Sequence, residues 1–389
     1  MKIGEIIRLN LSWLVIFLQR FDFDQKKSKT IFKILVIAFV VASAWLSLKF
    51  ITTAVDRAHS HDLWLDERNG QSARTAGYIQ LIKGDLGSQC SRSPLEYLAQ
   101  KIFDQAGGLS LRTMGLEDNI YYRLHSIFYN WISGLLVVLI AFFKIKKGVN
   151  NYFVFGLQIL LLLGALWLYY FWRFNFPFSI QMRPYALWNS LWLMILCLFL
   201  VEGRLKGWPF TVLFFLLAAT MNVAIWQLFS FTAAFMIVRL AQKESFLQSA
   251  KIILKILLIP TAVSLYYILI DSATYSWYED FDQYLKEFFH FWTTKEMIPI
   301  LSTLGILLTV WYKELQNHTI IFLTMLILYL ISPLINYIIL SRGIFFSSRH
   351  YIYYDLIYPV FLVSMAIITP SLWERIRQYS LNQEIKRFP

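Results

Sequence analysis

Three carboxylates lie within a short stretch, at Asp62, Asp66 and Glu67, directly after the first long apolar run of the chain. Trp64 lies among them, and tryptophan is enriched where a membrane meets water. A carboxylate is costly inside a bilayer, but at its edge it can take a proton from a hydroxyl. The stretch therefore indicates Asp66 and Glu67 as candidate catalytic residues and Asp62 as a candidate substrate-binding residue. The alternative is a solvated loop with Trp64 as an interfacial anchor.

Two further polar motifs lie where later apolar runs begin. Their candidate substrate-binding residues are Gln181, Arg183 and Tyr185 in the first motif and Arg349, His350 and Tyr351 in the second. A guanidinium group binds phosphate oxygens in bidentate fashion, although many arginines at span ends only reach for the headgroups. If these residues lie on the same membrane face as the carboxylates, the two groups together would suit one reaction. In it, a hydroxyl attacks a carbon whose leaving group is a lipid-linked phosphate.

The composition indicates a membrane protein rather than a soluble domain. Hydrophobic residues make up 58% of 389 residues, and charged residues make up only 15%, against about 25% in a typical soluble domain. The net charge of +12 is explained by lysine and arginine in alternate loops, and no nucleic-acid-binding motif is present. With Cys90 and Cys197 as the only cysteines, a disulfide framework is not expected.

Apolar runs predict an all-α polytopic fold with about ten transmembrane helices. The predicted spans are 31–53, 126–143, 152–172, 184–201, 209–222, 224–240, 252–270, 298–312, 319–340 and 351–369. The lysine and arginine distribution predicts both termini in the cytoplasm, as for a multi-pass protein of the inner (cytoplasmic) membrane. The predicted domains are an amphipathic cytoplasmic segment 1–30, a membrane domain 31–369 and a cytoplasmic tail 370–389.

Two long loops are predicted on the outer face. Loop 54–125 is too long to lack structure. Ser93-Pro94-Leu95-Glu96 is typical of a capping box, and an apolar helical periodicity follows it to Phe103. This amphipathic helix is expected either on the membrane surface or packed over the spans, and a second helix is possible over 72–82. Loop 271–297 combines acidic and aromatic residues, as expected for an aromatic belt or for a flap that closes over a site.

The ordered set of motifs resembles the GT-C superfamily of polyprenyl-phosphate-sugar-dependent glycosyltransferases. It is most similar to bacterial relatives of protein O-mannosyltransferases and of the aminoarabinose transferase of lipid A. The resemblance rests on Trp64-Leu65-Asp66-Glu67 after the first span, on Arg183-Pro184-Tyr185 after Gln181, and on a late arginine with an aromatic neighbour, Arg349 and Tyr351. It covers residues 31–369 in layout and a few short motifs in detail.

The resemblance implies an inverting sugar transfer on the outer face, with Asp66 as the catalytic acidic residue and Glu67 as its motif partner. Arg183, and then Arg349, would hold the donor phosphate. Two departures from the family pattern stand out. His125-Ser126-Ile127-Phe128-Tyr129 lacks the proline of the family's His-Pro-Leu-Tyr-like motif, and the second outer loop, 173–183, contains no acidic residue.

The partners implied are a polyprenyl-phosphate-linked sugar donor, membrane lipids and an acceptor that is a glycan, a lipid or a protein. His59, His61, Asp62 and Asp66 are side chains of types that can ligate a divalent cation, but they lack regular ligand spacing, so no metal or other cofactor is assigned. Three alternatives remain: a transporter or flippase for a lipid-linked glycan, a scaffold subunit for envelope glycan assembly, and a lipid-linked glycan polymerase or ligase.

Overall fold

The computed structural model of this chain contains helices joined by turns. It describes residues 25–63, 67–68, 73–86, 93–146, 151–172, 176–181, 184–202, 205, 207–270, 281–341 and 353–385. The structure is 88% helix, with no strand in these residues. The prediction of an all-α protein is therefore confirmed. The predicted amphipathic segment 1–30 lies largely outside the described residues.

The first half of the chain alternates long apolar helices with short polar ones. Its elements are α1 (Gln25–Ser60), α2 (Tyr78–Lys83), α3 (Leu95–Phe103), α4 (Leu109–Thr113), α5 (Asp118–Tyr121), α6 (Leu124–Lys146), α7 (Tyr152–Phe171), α8 (Phe176–Ser179) and α9 (Tyr185–Glu202). A π-helical turn, Asp104–Gly108, joins α3 to α4. The long first loop predicted from the sequence is thus built from short helices.

The described residues of the second half are almost entirely helical, and most of the helices are apolar. This half comprises α10 (Trp208–Thr220), α11 (Ile225–Ala241), α12 (Phe246–Ile270), α13 (Phe281–Thr293), α14 (Met297–Thr309), α15 (Gln316–Ser341) and α16 (Ile357–Ile385). The tight turn expected between the fifth and sixth predicted spans is the single 3₁₀ turn Asn222–Ala224, which joins α10 to α11.

Seven of these helices are long and apolar enough to cross a membrane: α1, α6, α7, α9, α12, α15 and α16. The chain is therefore a multi-pass membrane protein. Three shorter apolar helices, α10, α11 and α14, coincide with the other three predicted spans. At 13 to 17 residues, they fall short of the roughly 20 residues that a perpendicular span needs. The count of ten spans stays a prediction.

Three local details differ from the sequence-based expectation. Helix α1 continues past the predicted end at residue 53 to Ser60, and α16 continues past 369 to Ile385, because helical hydrogen bonding does not end where hydropathy falls. The capping box before α3 does not form as predicted. Pro94 is the N-cap residue and makes no side-chain cap hydrogen bond, and the Glu96 carboxylate binds His125 instead.

The bundle is held together by close helix pairs with aromatic contacts. Helix α16 packs along α7, α9 packs on α6, α10 packs on α12, and α14 packs on α15. The rings of Phe39 on α1 and Phe142 on α6 stack with centroids 4.2 Å apart. Phe50 on α1 stacks on Tyr170 of α7 at 4.5 Å. Stacked rings fix the relative rotation of helices whose surfaces are otherwise uniformly apolar.

Gly134 on α6 allows the close approach of α7, and its replacement by alanine is expected to be destabilising. A Cβ at this position would lie 2.7 Å from ring carbons of both Tyr169 and Tyr170. Such overpacking typically costs about 1–3 kcal/mol. Gly156→Ala is the matched control, because the nearest side-chain atom to its Cβ is 3.9 Å away. Thermal unfolding in detergent should show a lower midpoint for Gly134→Ala than for Gly156→Ala, and equal midpoints would contradict this packing.

The predicted topology places α2 outside and the end of α6 inside. Cysteines introduced at the exposed residues Lys83 and Lys146, in a chain without Cys90 and Cys197, should react with a membrane-impermeant maleimide from opposite sides of the membrane. Lys83 is preferred to Gly84, whose φ of 67° disfavours a side chain. Labelling of position 83 only from the cytoplasmic side would overturn the orientation and the outer location of the candidate site.

Candidate functional site

Glu67 is buried in an ion pair with Arg123, which directly precedes α6. The guanidinium Nε lies 3.0 Å from Oε1 of Glu67, and Nη2 lies 2.7 Å from Oε2. The two side chains are only 3% and 1% exposed. This bidentate geometry is the strong form of an arginine–carboxylate contact. It fixes one end of the acidic motif to the start of the second candidate span.

The same guanidinium also holds the end of α1. Its Nη1 donates to the carbonyl oxygens of Ala58 at 3.0 Å and His61 at 2.6 Å, and its Nη2 donates to the carbonyl of Asp62 at 3.0 Å. The last carbonyls of a helix have no partner within the helix, so Arg123 satisfies groups that would otherwise need water. One side chain thus ties together the end of the first helix, residues 61–62 and Glu67.

Asp62 and the nearby histidines lie on the solvent side of this junction. Asp62 is exposed, and its Oδ1 accepts a long hydrogen bond of 3.4 Å from Asn119. The His59 ring lies 2.5 Å from a carboxylate oxygen of Glu117, and the His61 ring contacts the Ser60 hydroxyl. Asp62 is therefore free of strong contacts in the described part of the chain, as a substrate-binding role would require. Among the described residues no three histidine, cysteine or acidic side chains form a metal site.

The second motif is attached to α6 one helical turn after Arg123. The Ser126 hydroxyl donates to the backbone carbonyl of Gln181 at 2.6 Å, and both residues are buried. Tyr185, at the start of α9, is 1% exposed. Its location in the helical core indicates a packing role for most of its ring.

Residues 123–126 therefore hold both motifs. Arg123 binds Glu67, and Ser126 binds Gln181, although the two motifs are separated by more than a hundred residues of sequence. Asp62, Glu67, Gln181 and Tyr185 are brought to one end of α6. The predicted site residues Asp66, Arg183, Arg349, His350 and Tyr351 lie outside the described residues.

Arg74 and Asp104 form an ion pair that connects the described short helices between α1 and α6, with Asp104 18% exposed. Arg74 donates through Nη2 to Asp104 at 2.7 Å, and its side chain is 4% exposed. The guanidinium carbon lies 5.4 Å and 5.0 Å from the ring centroids of Tyr121 and Tyr122. Burial, together with the hydrogen bond to Asp104, raises the pKa of Tyr121, so this phenol stays protonated as a donor. The short helices are thus fixed to one another by directional contacts.

The described part of loop 271–297 is packed against the bundle. Trp292 on α13 stacks on Tyr329 of α15 at 4.8 Å and donates from its indole nitrogen to the Tyr329 carbonyl at 3.0 Å. Lys295 follows α13, and its Nζ lies 2.7 Å and 2.9 Å from the two carboxylate oxygens of Asp355. Both charged side chains are at most 3% exposed. Of the two interpretations of this loop, these contacts favour an aromatic belt over a flap for residues 281–297.

An apolar cavity of about 570 Å³ lies beside α3. Leu95 and Leu98 of α3 line it together with Phe215 of α10 and with residues of α12 that include Ile259. The opposite side of α3 carries the buried Glu96 and Gln100. Helix α3 therefore packs over the spans, and one of its faces borders apolar space between α10 and α12.

Sequence reasoning missed Arg123 and did not use Ser126 as a functional residue. Arg123 is a charged residue next to a long apolar helix, where a headgroup contact is the usual interpretation. Its burial was not visible, because its partners lie about sixty residues earlier. A count of acidic residues near the first span would have predicted that Glu67 needs a cation, but not which one.

The comparisons with known proteins add no family to these observations. The chain matches no protein-family model, no curated protein and no solved structure. The functional interpretation therefore depends on the residues and geometry described above.

Proposed function

We propose that this protein is an integral membrane glycosyltransferase that passes a sugar from a polyprenyl-phosphate donor to an acceptor on the outer face. The observation that carries the proposal is the attachment of both motifs to residues 123–126, through the Arg123–Glu67 pair and the Ser126–Gln181 hydrogen bond. A base and a phosphate ligand must be held within one substrate's length of each other. The two anchored motifs supply a carboxylate and an arginine from separate parts of the chain.

In the proposed reaction Asp66 takes the proton from the acceptor hydroxyl. The hydroxyl oxygen forms a bond to the anomeric carbon, and the bond between that carbon and the phosphate oxygen breaks. Its electron pair leaves with the polyprenyl phosphate. Arg183, assisted by Arg349, stabilises the charge that develops on the phosphate. In-line displacement by one base predicts inversion at the anomeric carbon, as in inverting glycosidases.

Glu67 takes a positioning role in this scheme. A carboxylate that is 1% exposed and bonded through both oxygens to Arg123 cannot reach a substrate hydroxyl without breaking that pair. Its pairing with Arg123 instead fixes the end of the acidic motif. Asp66 is the residue directly before Glu67 in the sequence. In this scheme Asp66 is the base, and Glu67 fixes the position of the chain next to Asp66.

The apolar cavity between α10, α12 and α3 is an argument for a lipid-linked donor. Its lining is almost wholly apolar, and two of the lining residues, Leu258 and Ile259, are exposed on the bundle surface, where lipid would contact them. The proposed occupant is the polyprenyl chain of the donor. The cavity adjoins α2, since Tyr267 in its lining donates a hydrogen bond of 2.9 Å to the carbonyl of Ile82.

The proposal is tested by incubating the purified protein with a panel of polyprenyl-phosphate sugars and following each donor by mass spectrometry. Release of free polyprenyl phosphate and transfer of the sugar to an added glycan, lipid or peptide acceptor supports the proposal. A flippase reconstituted in vesicles would move donor across the bilayer without consuming it. Donor movement without release of polyprenyl phosphate across the whole panel would contradict the proposal.

The prediction for Arg183 separates phosphate binding from membrane anchoring. Arg183→Ala is expected to be severely impaired in donor use and Arg183→Lys partly active, because lysine keeps the charge but lacks the planar fork. Donor titrations on monodisperse variants measure the effect. An arginine that only reaches for headgroups would be replaceable by lysine almost without effect. Unchanged donor dependence in Arg183→Ala would leave Arg349 as the candidate phosphate ligand.

A further inference from the structure

A buried polar cluster joins α3 to the start of α6. The His125 Nε2 lies 2.6 Å from Oε1 of Glu96, and the side-chain amide of Gln100 donates to the same oxygen at 2.9 Å. Glu96 and Gln100 are fully buried, and His125 is 4% exposed. Burial of a carboxylate costs free energy unless its partners are well placed. The presence of Glu96 in the interior therefore calls for an explanation in terms of structure or function.

The contact with Glu96 determines which nitrogen of the His125 ring carries a proton. An ionised carboxylate only accepts hydrogen bonds, so with Glu96 ionised it is Nε2 of His125 that carries the proton of this contact. The Gln100 amide nitrogen, 3.1 Å from Nε2, is also a donor and therefore makes no hydrogen bond to it. Glu96 thus fixes both the tautomer and the direction of the imidazole ring.

The oriented imidazole reaches the residue that holds the second motif. Its Nε2 lies 3.2 Å from the Ser126 hydroxyl oxygen, and that hydroxyl donates to the Gln181 carbonyl at 2.6 Å. A serine hydroxyl rotates freely unless another contact fixes it. His125 has a single Nε2–H, which Glu96 accepts at 2.6 Å and the Ser126 oxygen shares at the longer distance of 3.2 Å, so the Ser126 proton is left for the Gln181 carbonyl at 2.6 Å.

Further hydrogen bonds lead from Ser126 along α6 toward α9. The Asn130 amide donates to the Ser126 carbonyl at 3.1 Å, and the Tyr169 hydroxyl bridges Asn130 and Ser190 of α9 at 2.9 Å and 3.2 Å. In an apolar bundle, such hydrogen bonds fix the rotation of one helix against another, which dispersion contacts alone define poorly. Ser126 and Asn130, one helical turn apart on α6, thus contact Gln181 just before α9 directly and α9 itself through Tyr169 of α7.

We propose that Glu96, His125 and Ser126 form a positioning relay that fixes the Gln181 backbone and the start of α9. The link to catalysis depends on the proposed function, in which the motif from Gln181 to Tyr185 binds the donor phosphate. The relay then acts on donor affinity rather than on the chemical step. His125 and Glu96 are positioning residues, because they act through Ser126 and have no surface through which a substrate can contact them.

Hydrogen–deuterium exchange of the purified full chain tests the relay without requiring turnover. Ser126→Ala and Glu96→Gln should each speed exchange in peptides covering 176–190 by roughly five- to tenfold, the effect of losing about one hydrogen bond. Ser126→Thr, which keeps the hydroxyl, should restore slow exchange. Glu117→Gln is the matched control, since it alters a similar His–Glu contact with His59 whose side chains are 62% and 53% exposed.

Donor titration supplies the second measurement. Once a donor is found, Ser126→Ala and Glu96→Gln should raise KM for the donor by a larger factor than they lower kcat, with Glu117→Gln unchanged. Exchange in 176–190 that is unaffected by Ser126→Ala in a monodisperse protein would overturn the relay. Faster exchange with no change in donor KM would overturn its role in donor binding. If no donor is consumed, the proposed function fails, and the exchange data alone still decide the positioning.

Discussion

Arg123→Ala is expected to destabilise the protein by about 3–5 kcal/mol, because it leaves the carboxylate of Glu67 buried without its cation. The pair is nearly inaccessible to water, and the same guanidinium satisfies the carbonyls of Ala58, His61 and Asp62. A loss of this size should lower the midpoint of thermal unfolding in detergent by on the order of 10 °C. The measurement is intrinsic tryptophan fluorescence during heating.

Arg112→Ala is the matched control for this result. Arg112 also binds a carboxylate through two nitrogens, at 2.6 Å and 2.8 Å from Asp118, but the two side chains are 43% and 52% exposed. An exposed pair typically contributes about 0–1 kcal/mol, so its midpoint should change little. The double variant Glu67→Met/Arg123→Met should recover only part of the loss, since the three carbonyls remain without a donor. Equal midpoints for Arg123→Ala and Arg112→Ala would contradict the buried pair.

Asp66→Asn should reduce turnover by about 10²–10⁴-fold while leaving donor binding in place. The amide keeps the size of the side chain and most of its hydrogen bonding, but it cannot take a proton from the acceptor. Turnover of the best donor from the panel is the measurement, with binding of the same donor measured separately. A loss of donor binding in place of turnover would assign Asp66 to the substrate contact instead.

Asp56→Asn serves as the control, because Asp56 is an exposed aspartate near the C-terminal end of α1. It should keep the turnover of the unmodified protein. If Asp66→Asn also keeps it in a verified assay, Asp66 is not the base. Asp62 then becomes the next candidate, since it is exposed, whereas Glu67 is occupied by Arg123.

Much of the fold follows from local sequence. A long apolar run can satisfy its backbone in a bilayer only as a helix, so the positions of α1, α6, α7, α9, α12, α15 and α16 could be read from hydropathy. The tight turn at Asn222 could be predicted for the same reason, because two apolar runs meet with almost no residues between them. Helix ends were less accurate, since hydrogen bonding in α1 and α16 continues past the apolar stretch.

The sequence also identified the acidic motif and the motif at Gln181 as places where chemistry could occur, because residue types and spacing are local properties. Only the tertiary structure decided what holds them. Burial separated Glu67, paired with Arg123, from the exposed Asp62. It also turned Glu96 from an expected helix cap into a partner of His125. Such pairings join residues far apart in the chain, and their free energy depends on how completely water is excluded around them, which no local pattern encodes.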